Sequence, residues 1–471
     1  MGGDGSRAET IVAISTPPGR GGIGMVRLSG PEALRIAELL VRGRGEVEHG
    51  RARRVGVLDP EDSGRTIDEA VVTAFLAPQS YTGETVVEIT AHGSPVVLEA
   101  MVRGALEHGA KLGLGVRLAG PGEFTQRAFL AGRLDLTQAE AVHDLISAQT
   151  LDQARVAAQQ MGGALSRRIA PMKEALLRLI TLLEAGMDFA SGELDDVEVV
   201  APAEIAAGIG AAREPLERLA ATFRRGQLLR DGAAIALIGP PNAGKSSLFN
   251  RLLERERAIV TAMPGTTRDT VEESMALGGI PLRLIDTAGL RAAAGELEEA
   301  AIDLAEQHGM ARSQEALADA DLVLLVHDAT LAVTEEELRL RESVAGRPHL
   351  LIQNKIDLLA GGLGELAAGA IGTSAVSGEG LEALRAAILE QLGAAGALAE
   401  TGALNTLRQQ EAVTAALAGL GGAAAANEAG LPHEVILLDL HTALRALDSL
   451  TGTTTPDDIL ARIFSTFCIG K

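Results

Sequence analysis

Gly239-Pro-Pro-Asn-Ala-Gly-Lys-Ser246 carries the glycines, lysine and hydroxyl of a phosphate-cradling loop at every fixed position of G-x-x-x-x-G-K-[ST]. Such a loop turns backbone N–H groups toward an anion at a helix N-terminus. Asn242, Ala243, Gly244, Lys245, Ser246 and Ser247 would then surround the phosphates. Lys245 would reach the β- and γ-phosphates, and the Ser246 hydroxyl would hold Mg²⁺. Asp286-Thr287-Ala288-Gly289 closes a second apolar run; there Asp286 meets Mg²⁺ through water and the Gly289 N–H senses the γ-phosphate. Asn354-Lys355-Ile-Asp357 closes a third. The Asp357 carboxylate can accept from both N1–H and the 2-amino group of guanine, a donor pair adenine lacks. Ser374-Ala375 would complete the pocket with a backbone N–H to the guanine O6. Four segments in this order specify a guanine-nucleotide domain.

Between the first two segments lies Thr261-Ala-Met263-Pro-Gly-Thr266-Thr267. Thr267 is the candidate second Mg²⁺ ligand, in a loop that orders around triphosphate. No Gln follows Asp-Thr-Ala-Gly; Leu290 stands where a water-orienting Gln is expected. Asn242 has two readings. Its carbonyl oxygen can face a monovalent cation, which would supply positive charge beside the β/γ bridge in place of an arginine finger. Alternatively it is a turn residue after two prolines.

Local patterning gives the secondary structure around these motifs. Ala234–Ile238 reads as a buried parallel strand before the loop and Ser247–Leu253 as a helix after it; Leu282–Asp286 and Leu350–Asn354 read as further strands. The expected nucleotide domain is residues 231–394, an α/β Ras-like P-loop fold inserted between two parts of a helical domain, 131–230 and 395–471. Residues 1–130 carry β-type runs at Thr10–Ser15, Gly24–Leu28, Glu69–Phe75 and Val86–Thr90, with helices near Glu32–Leu40 and Val96–Glu107, and read as a small α+β domain. Helical spacing covers Ala175–Ala185, Ala203–Leu219, Ala403–Leu420 and His433–Leu450. The Ala423–Ala426 run is helix filler or a loose linker.

At 471 residues the chain suggests about three domains. Only 2% of residues are aromatic, with no Trp and one Tyr, so Ala, Leu and Val must build the cores. A net charge of −21 argues against broad, nonspecific nucleic-acid binding. The basic clusters Arg42, Arg44, Arg51, Arg53, Arg54 and Arg224, Arg225, Arg230 read as solvated surface. The one cysteine, Cys468, excludes an internal disulfide and fits a reducing compartment. No apolar run reaches 18 residues; the expectation is a cytoplasmic protein without a membrane partner.

Further motifs go beyond the nucleotide domain: Thr16-Pro-Pro-Gly-Arg-Gly-Gly-Ile-Gly24, Tyr81-Thr-Gly-Glu84, Pro121-Gly-Glu-Phe124, Arg127-Ala-Phe129, Leu134-Asp-Leu-Thr-Gln-Ala-Glu140 and the terminal Phe467-Cys-Ile-Gly-Lys471. With them the chain resembles, end to end, the bacterial and organellar tRNA-modification GTPases of the MnmE (TrmE) family. The resemblance implies a GTP hydrolase, activated by K⁺ when two G domains meet, that dimerises through its N-terminal domain. It also implies an FAD-dependent partner protein in a heterotetramer. With that partner it would add a carboxymethylaminomethyl or aminomethyl group to C5 of the wobble uridine of certain tRNAs. A 5-formyl- or 5,10-methylene-tetrahydrofolate would supply the carbon. Arg27, Glu88, Arg133 and Lys471 are the implied folate residues. Cations suit the folate carboxylates, and an acid such as Glu88 suits the pterin N–H donors. Position 133 is often Lys in relatives, and Arg keeps the charge but changes the geometry. The implied K⁺ ligands are Asn242 with backbone oxygens of Thr261, Met263 and Thr266. Cys468 is implied near the one-carbon chemistry, as nucleophile or base, or is a small packed residue. The water-positioning acid is Glu298 counted forward from Asp286. Counted back from Gly309, Arg312 and Ser313 it is Glu306, the preferred position because Glu-x-x-Gly fits there. The competing function is a regulatory or assembly GTPase with no one-carbon chemistry, whose members lack the terminal motif and the N-terminal domain.

Overall fold

The apolar runs before each nucleotide motif form strands because Ala, Ile, Leu and Val can be buried on both faces of a parallel sheet. The computed structural model describes residues 9–43, 47–190, 200–253, 272–286, 320–359, 366–394, 401–453 and 457–470. Among the described residues the chain divides into two units, residues 1–143 with 448–471, and residues 144–447.

In the first unit β1 (Thr10–Ile14), β2 (Gly21–Ser29), β3 (Val41–Arg42), β4 (Arg53–Leu58), β5 (Thr66–Phe75), β6 (Val86–Gly93) and β7 (Val116–Leu118) form one sheet, ordered β3-β4-β5-β6-β2-β1-β7. Every pairing is antiparallel except β1 with β7. Helices α1 (Ala33–Leu40) and α2 (Pro95–Leu112) bury Ile36, Leu40, Leu98, Met101 and Ala105 in a common core with it. α3 (Glu123–Leu130) follows. α4 (Leu136–Ser147) spans the division between the units. Strands β3 and β4 occupy 41–42 and 53–58, where the sequence reading has only a basic surface cluster. Val55 and Val57 are the only residues of β4 that turn inward, too short an alternation to signal a strand.

The second unit holds α5 (Leu151–Met161), α6 (Ala164–Ala190), α7 (Pro202–Ala220) and α8 (Phe223–Asp231). Its sheet has β8 (Ala233–Ile238), β9 (Glu272–Leu277), β10 (Ile280–Asp286), β11 (Leu322–Asp328), β12 (His349–Asn354) and β13 (Ala370–Thr373). Its described helices are α9 (Lys245–Leu253), α10 (Glu335–Val344) and α11 (Leu381–Gln391). The order is β13-β12-β11-β8-β10-β9, parallel except for the edge strand β9. Beyond it come α12 (Leu407–Glu428) and α13 (His433–Thr451), the latter crossing into the first unit. α7 packs on α6 and α12. Ala423 and Ala426 lie buried inside α12, so that run is helix rather than linker. A last helix, α14 (Asp457–Ser465), stands where the sequence reading has only a tail. It buries Leu460 and Phe464 with Leu136, Ala139 and Phe467. The chain is thus multidomain: an α+β N-terminal part, an all-α part and an α/β P-loop part.

Candidate functional site

Register places the nucleotide motifs together. Asp286 lies opposite Leu237, two residues before Gly239. Asp328 lies opposite Asn354, and Asn354 opposite Thr373. Every motif therefore emerges at the carboxyl ends of parallel strands, where ligands of open α/β sheets bind.

Within the loop Asn242 adopts φ 62° and is exposed. Lys245 is buried at the start of α9, its ammonium donating to Gly239 O at 2.9 Å and Pro240 O at 2.7 Å. These carbonyl oxygens are the kind of acceptor that β- and γ-phosphate oxygens would offer. Ser246 and Ser247 are exposed on the first turn of α9. Asn354, 1% exposed, joins this loop to the base pocket. Its Nδ2 donates to Ala243 O at 3.0 Å, and its Oδ1 accepts from Ala375 N and Thr373 Oγ1, each at 3.3 Å. Gly244 lies at φ 87°, and a Cβ there would come 2.2 Å from Asn354 Nδ2. Only glycine permits that approach.

Lys355 takes φ 67° and its ammonium pairs with Asp328 Oδ2 at 2.6 Å. Burial opposes the charged form of Asp328, but Lys355 and the two Thr330 donors outweigh it and hold the carboxyl below the usual range. Asp328 was not singled out in the sequence; its signal is the strand-ending position of an Asp after Leu-Val-Leu-Leu-Val-His. Asp357 sits exposed in the short 3₁₀ turn Ile356–Leu358. Ser374, fully buried, accepts Ser377 N at 3.0 Å and so shapes the turn that presents Ala375 N. Asp286 ends β10. Thr261, Met263, Thr266, Thr267, Thr287, Ala288, Gly289, Glu298 and Glu306 lie outside the described residues.

The first unit brings together some of the other candidate residues. Arg27 and Glu88 are direct cross-strand partners on β2 and β6. Glu88 Oε1 accepts from Arg27 Nη2 at 2.7 Å and Nε at 3.0 Å. Glu88 Oε2 has no partner among the described residues. The Arg27 guanidinium also stands over the Phe124 ring, 5.6 Å from its centroid. The C-terminal segment returns to this point. Gly470 O accepts from Ser15 Oγ at 2.9 Å and from Arg27 Nη1 at 3.4 Å. Ile469 bridges Pro121, and Gly122 N donates to Cys468 O at 3.3 Å. Gly470 adopts φ 97°, and a Cβ there would lie 2.4 Å from Ile14 O, so the penultimate position needs glycine. Cys468 is exposed; Lys471 lies outside the described residues. Arg133 is exposed and donates to Pro78 O at 3.1 Å, and it is not bonded to the Arg27–Glu88 pair.

The other motifs of this unit are scaffolding for that platform. Arg127 joins Glu84 and Glu123, each at 2.9 Å, and Arg117 joins Glu123 and Glu9, each at 2.6 Å. Burial works against the Glu123 carboxylate, yet Arg117, the Gly120 N–H and Arg127 bring its pKa down to about 2. Tyr81 donates to or accepts from Thr125 Oγ1 at 2.9 Å, and burial pushes its phenol up. These groups offer a ligand one carboxylate oxygen of Glu88 as an acceptor, the Arg27 guanidinium as a donor and an exposed thiol on the returning tail.

Comparison with known proteins identifies the family of both parts of the chain. Residues 10–133 match the family described as the GTP-binding protein TrmE N-terminus, and residues 136–468 match the MnmE helical domain. The chain is 53% identical to the tRNA modification GTPase MnmE of Koribacter versatilis, over 98% of this chain and 99% of that protein. It is 41% identical to the protein of the same name from Moorella thermoacetica (98% and 99% covered) and 40% identical to that from Aquifex aeolicus (98% and 100%). The two family matches and 40–53% identity over 98% of the chain converge on one assignment: this chain belongs to the MnmE family of tRNA modification GTPases.

Proposed function

We propose that this chain hydrolyses GTP while an FAD-dependent partner and a tetrahydrofolate work with it on the wobble uridine of certain tRNAs, placing a carboxymethylaminomethyl or aminomethyl group on C5. The observation that carries the reading is the docking of the C-terminal segment at the end of β1 and beside β2, with Gly470 O held by Ser15 and Arg27. That contact brings Cys468 to the same platform as the Arg27–Glu88 pair. When bound, the folate supplies the one-carbon unit. Glu88 Oε2 would accept pterin N–H groups, with Arg27 holding that carboxylate in place, while Arg133 and Lys471 would meet the folate carboxylates. Cys468 would stand beside the carbon as nucleophile or base.

In the nucleotide domain Lys245 and the loop amides would bind the phosphates, Ser246 and Thr267 Mg²⁺, and Asp357 with Ala375 the guanine. Asn242, Thr261, Met263 and Thr266 would hold K⁺ when two G domains meet, and Glu306 or Glu298 would orient water. The chain would act as a homodimer, paired with its partner as a heterotetramer, in the cytoplasm. Among the described residues no helix is long and apolar enough to cross a membrane.

The test is equilibrium binding of 5-formyltetrahydrofolate beside GTP turnover and modified-nucleoside content in one preparation. Glu88→Gln and Arg27→Ala should each weaken folate binding by about 10- to 100-fold, the loss of a hydrogen bond to a charged group, with GTP turnover unchanged. Cys468→Ser should keep binding and hydrolysis and lose modification. Folate binding that is equal in all three refutes the pocket. Wild-type modification by Cys468→Ser removes the cysteine from the chemistry.

A further inference from the structure

The turn joining β9 to β10 lies at the opposite end of β10 from the nucleotide motifs, and it is held from outside the sheet. It passes through Gly278 (φ 58°) and Gly279 (φ 84°). Thr150 Oγ1 donates to Gly279 O at 2.8 Å, and a Cβ on residue 279 would lie 2.3 Å from Asp152 Oδ2. The turn therefore rests on the first turn of α5. The same Thr150 hydroxyl accepts Gln153 N at 3.1 Å, and Gln153 Oε1 accepts Thr150 N at 3.0 Å, a reciprocal cap that fixes the helix start. Gln153 Nε2 reaches on to Arg230 O in the last turn of α8, at 2.8 Å. Arg230 Nε pairs with Asp144 Oδ1 at 2.7 Å, and Asp144 Oδ2 accepts from Asn405 Nδ2 at 3.2 Å. Val156 of α5 and Leu228 of α8 pack against the apolar core of the nucleotide sheet.

We propose that this seam carries the nucleotide state from the sheet into the helices, with Thr150 and Gln153 as positioning residues and the Asp144–Arg230 pair as their support. β10 is hydrogen-bonded along its length to β8 on one side and β9 on the other. At seven residues it spans about 20 Å, and a strand paired on both edges shifts as one piece. Its Asp286 end registers beside the strand leading into the phosphate loop; its other end is the turn that Thr150 holds. A displacement at the γ-phosphate end therefore reaches α5 through the strand and its turn, beside the Val156 and Leu228 contacts. A cleft of about 680 Å³ opens beside the seam, lined by Gln149, Arg224, Leu228, Ala233, Leu282 and Leu392. The hydrogen-bonded seam beside this cleft is the stiff connection.

The inference rests on the nucleotide site described above, so GDP affinity is measured on every variant to keep the two apart. Amide hydrogen exchange is followed on the full-length chain with GDP and with a non-hydrolysable GTP analogue. In the wild type, amides 151–155 should exchange at rates differing by about 5- to 150-fold between the two states, the span of typical site-to-site coupling. Thr150→Val keeps shape and removes the hydroxyl; Gln153→Leu removes the link to α8. In either variant the difference should fall below about twofold while GDP affinity stays within about threefold, since neither residue touches nucleotide. A helix cap with no coupling role would raise exchange equally in both states. Identical wild-type exchange with the two nucleotides overturns the proposal without any substitution. Variants that retain the full difference, or that lose GDP binding, overturn it too.

Discussion

Replacing Asn354 by alanine removes one side chain that three elements share. Its Nδ2 holds Ala243 O at 3.0 Å in the phosphate loop, and its Oδ1 holds Ala375 N and Thr373 Oγ1 at 3.3 Å on the base side. Each such bond contributes about 0.5–1.5 kcal/mol net, the two longer ones at the low end. Because Asn354 is 1% exposed, little water can replace it, and the abandoned Ala243 carbonyl and Ala375 amide add a desolvation cost. The sum is about 2–3 kcal/mol, shared between folding and nucleotide binding because the same atoms shape both loops. Expressed wholly in affinity, it is about 30- to 150-fold weaker GDP binding. Fluorescent-GDP titration, with thermal melting in the absence of nucleotide, measures both shares. Asn354→Asp should be at least as damaging, since it turns an oxygen toward the Ala243 carbonyl. An Asn354→Ala protein with GDP affinity within threefold of wild type and an unchanged melting temperature would refute the reasoning.

Three further outcomes are expected. Asp357→Asn replaces one acceptor by a donor, so competition titration should show preference moving from guanine toward xanthine nucleotides; unaltered GTP selectivity contradicts the base assignment. GTP hydrolysis should be much faster in K⁺ than in Na⁺, and Asn242→Ala should erase the difference; equal rates in the two salts rule out the cation. Glu123 has its folded-state pKa lowered to about 2, so its contribution is complete above the ordinary carboxylate pKa and is lost as pH falls from about 4.5 toward 2. Screening at the edge of the cluster reduces it to about 1–2 kcal/mol. Melting temperatures of wild type and Glu123→Gln should differ at pH 7 and converge near pH 2; a gap that does not depend on pH places the effect in packing.

Local chemistry made much of this protein legible in the sequence. The strand before the phosphate loop, the loop itself and α9 follow from an apolar run, glycines and helical spacing, signals that lie within about 20 residues of one another. The same holds for β10 and β12 with the motifs at their ends, and for β1, β2, β5 and β6. Elements with weak local patterns were not legible. β4 turns only Val55 and Val57 inward, and α14 is a nine-residue helix whose apolar side is explained only by Phe129, Leu136 and Phe467 around it.

Which distant residues meet depends on the whole fold. Arg27 and Glu88 were visible as charges, but their pairing is a consequence of β2–β6 register, which no run of residues announces. The same is true of Asp328 under Lys355 and of Asn354 across to Ala243. The motif Pro121-Gly-Glu-Phe124 was legible as a motif; its work as a seat for Cys468, Ile469 and the Arg27 ring contact appears only when the chain end comes back across 455 positions to Ser15. Residue type and periodicity are properties of a neighbourhood along the chain. Pairing across the chain is selected by the burial and hydrogen bonding of the whole fold, so one sequence states the chemistry available and leaves its assembly to packing.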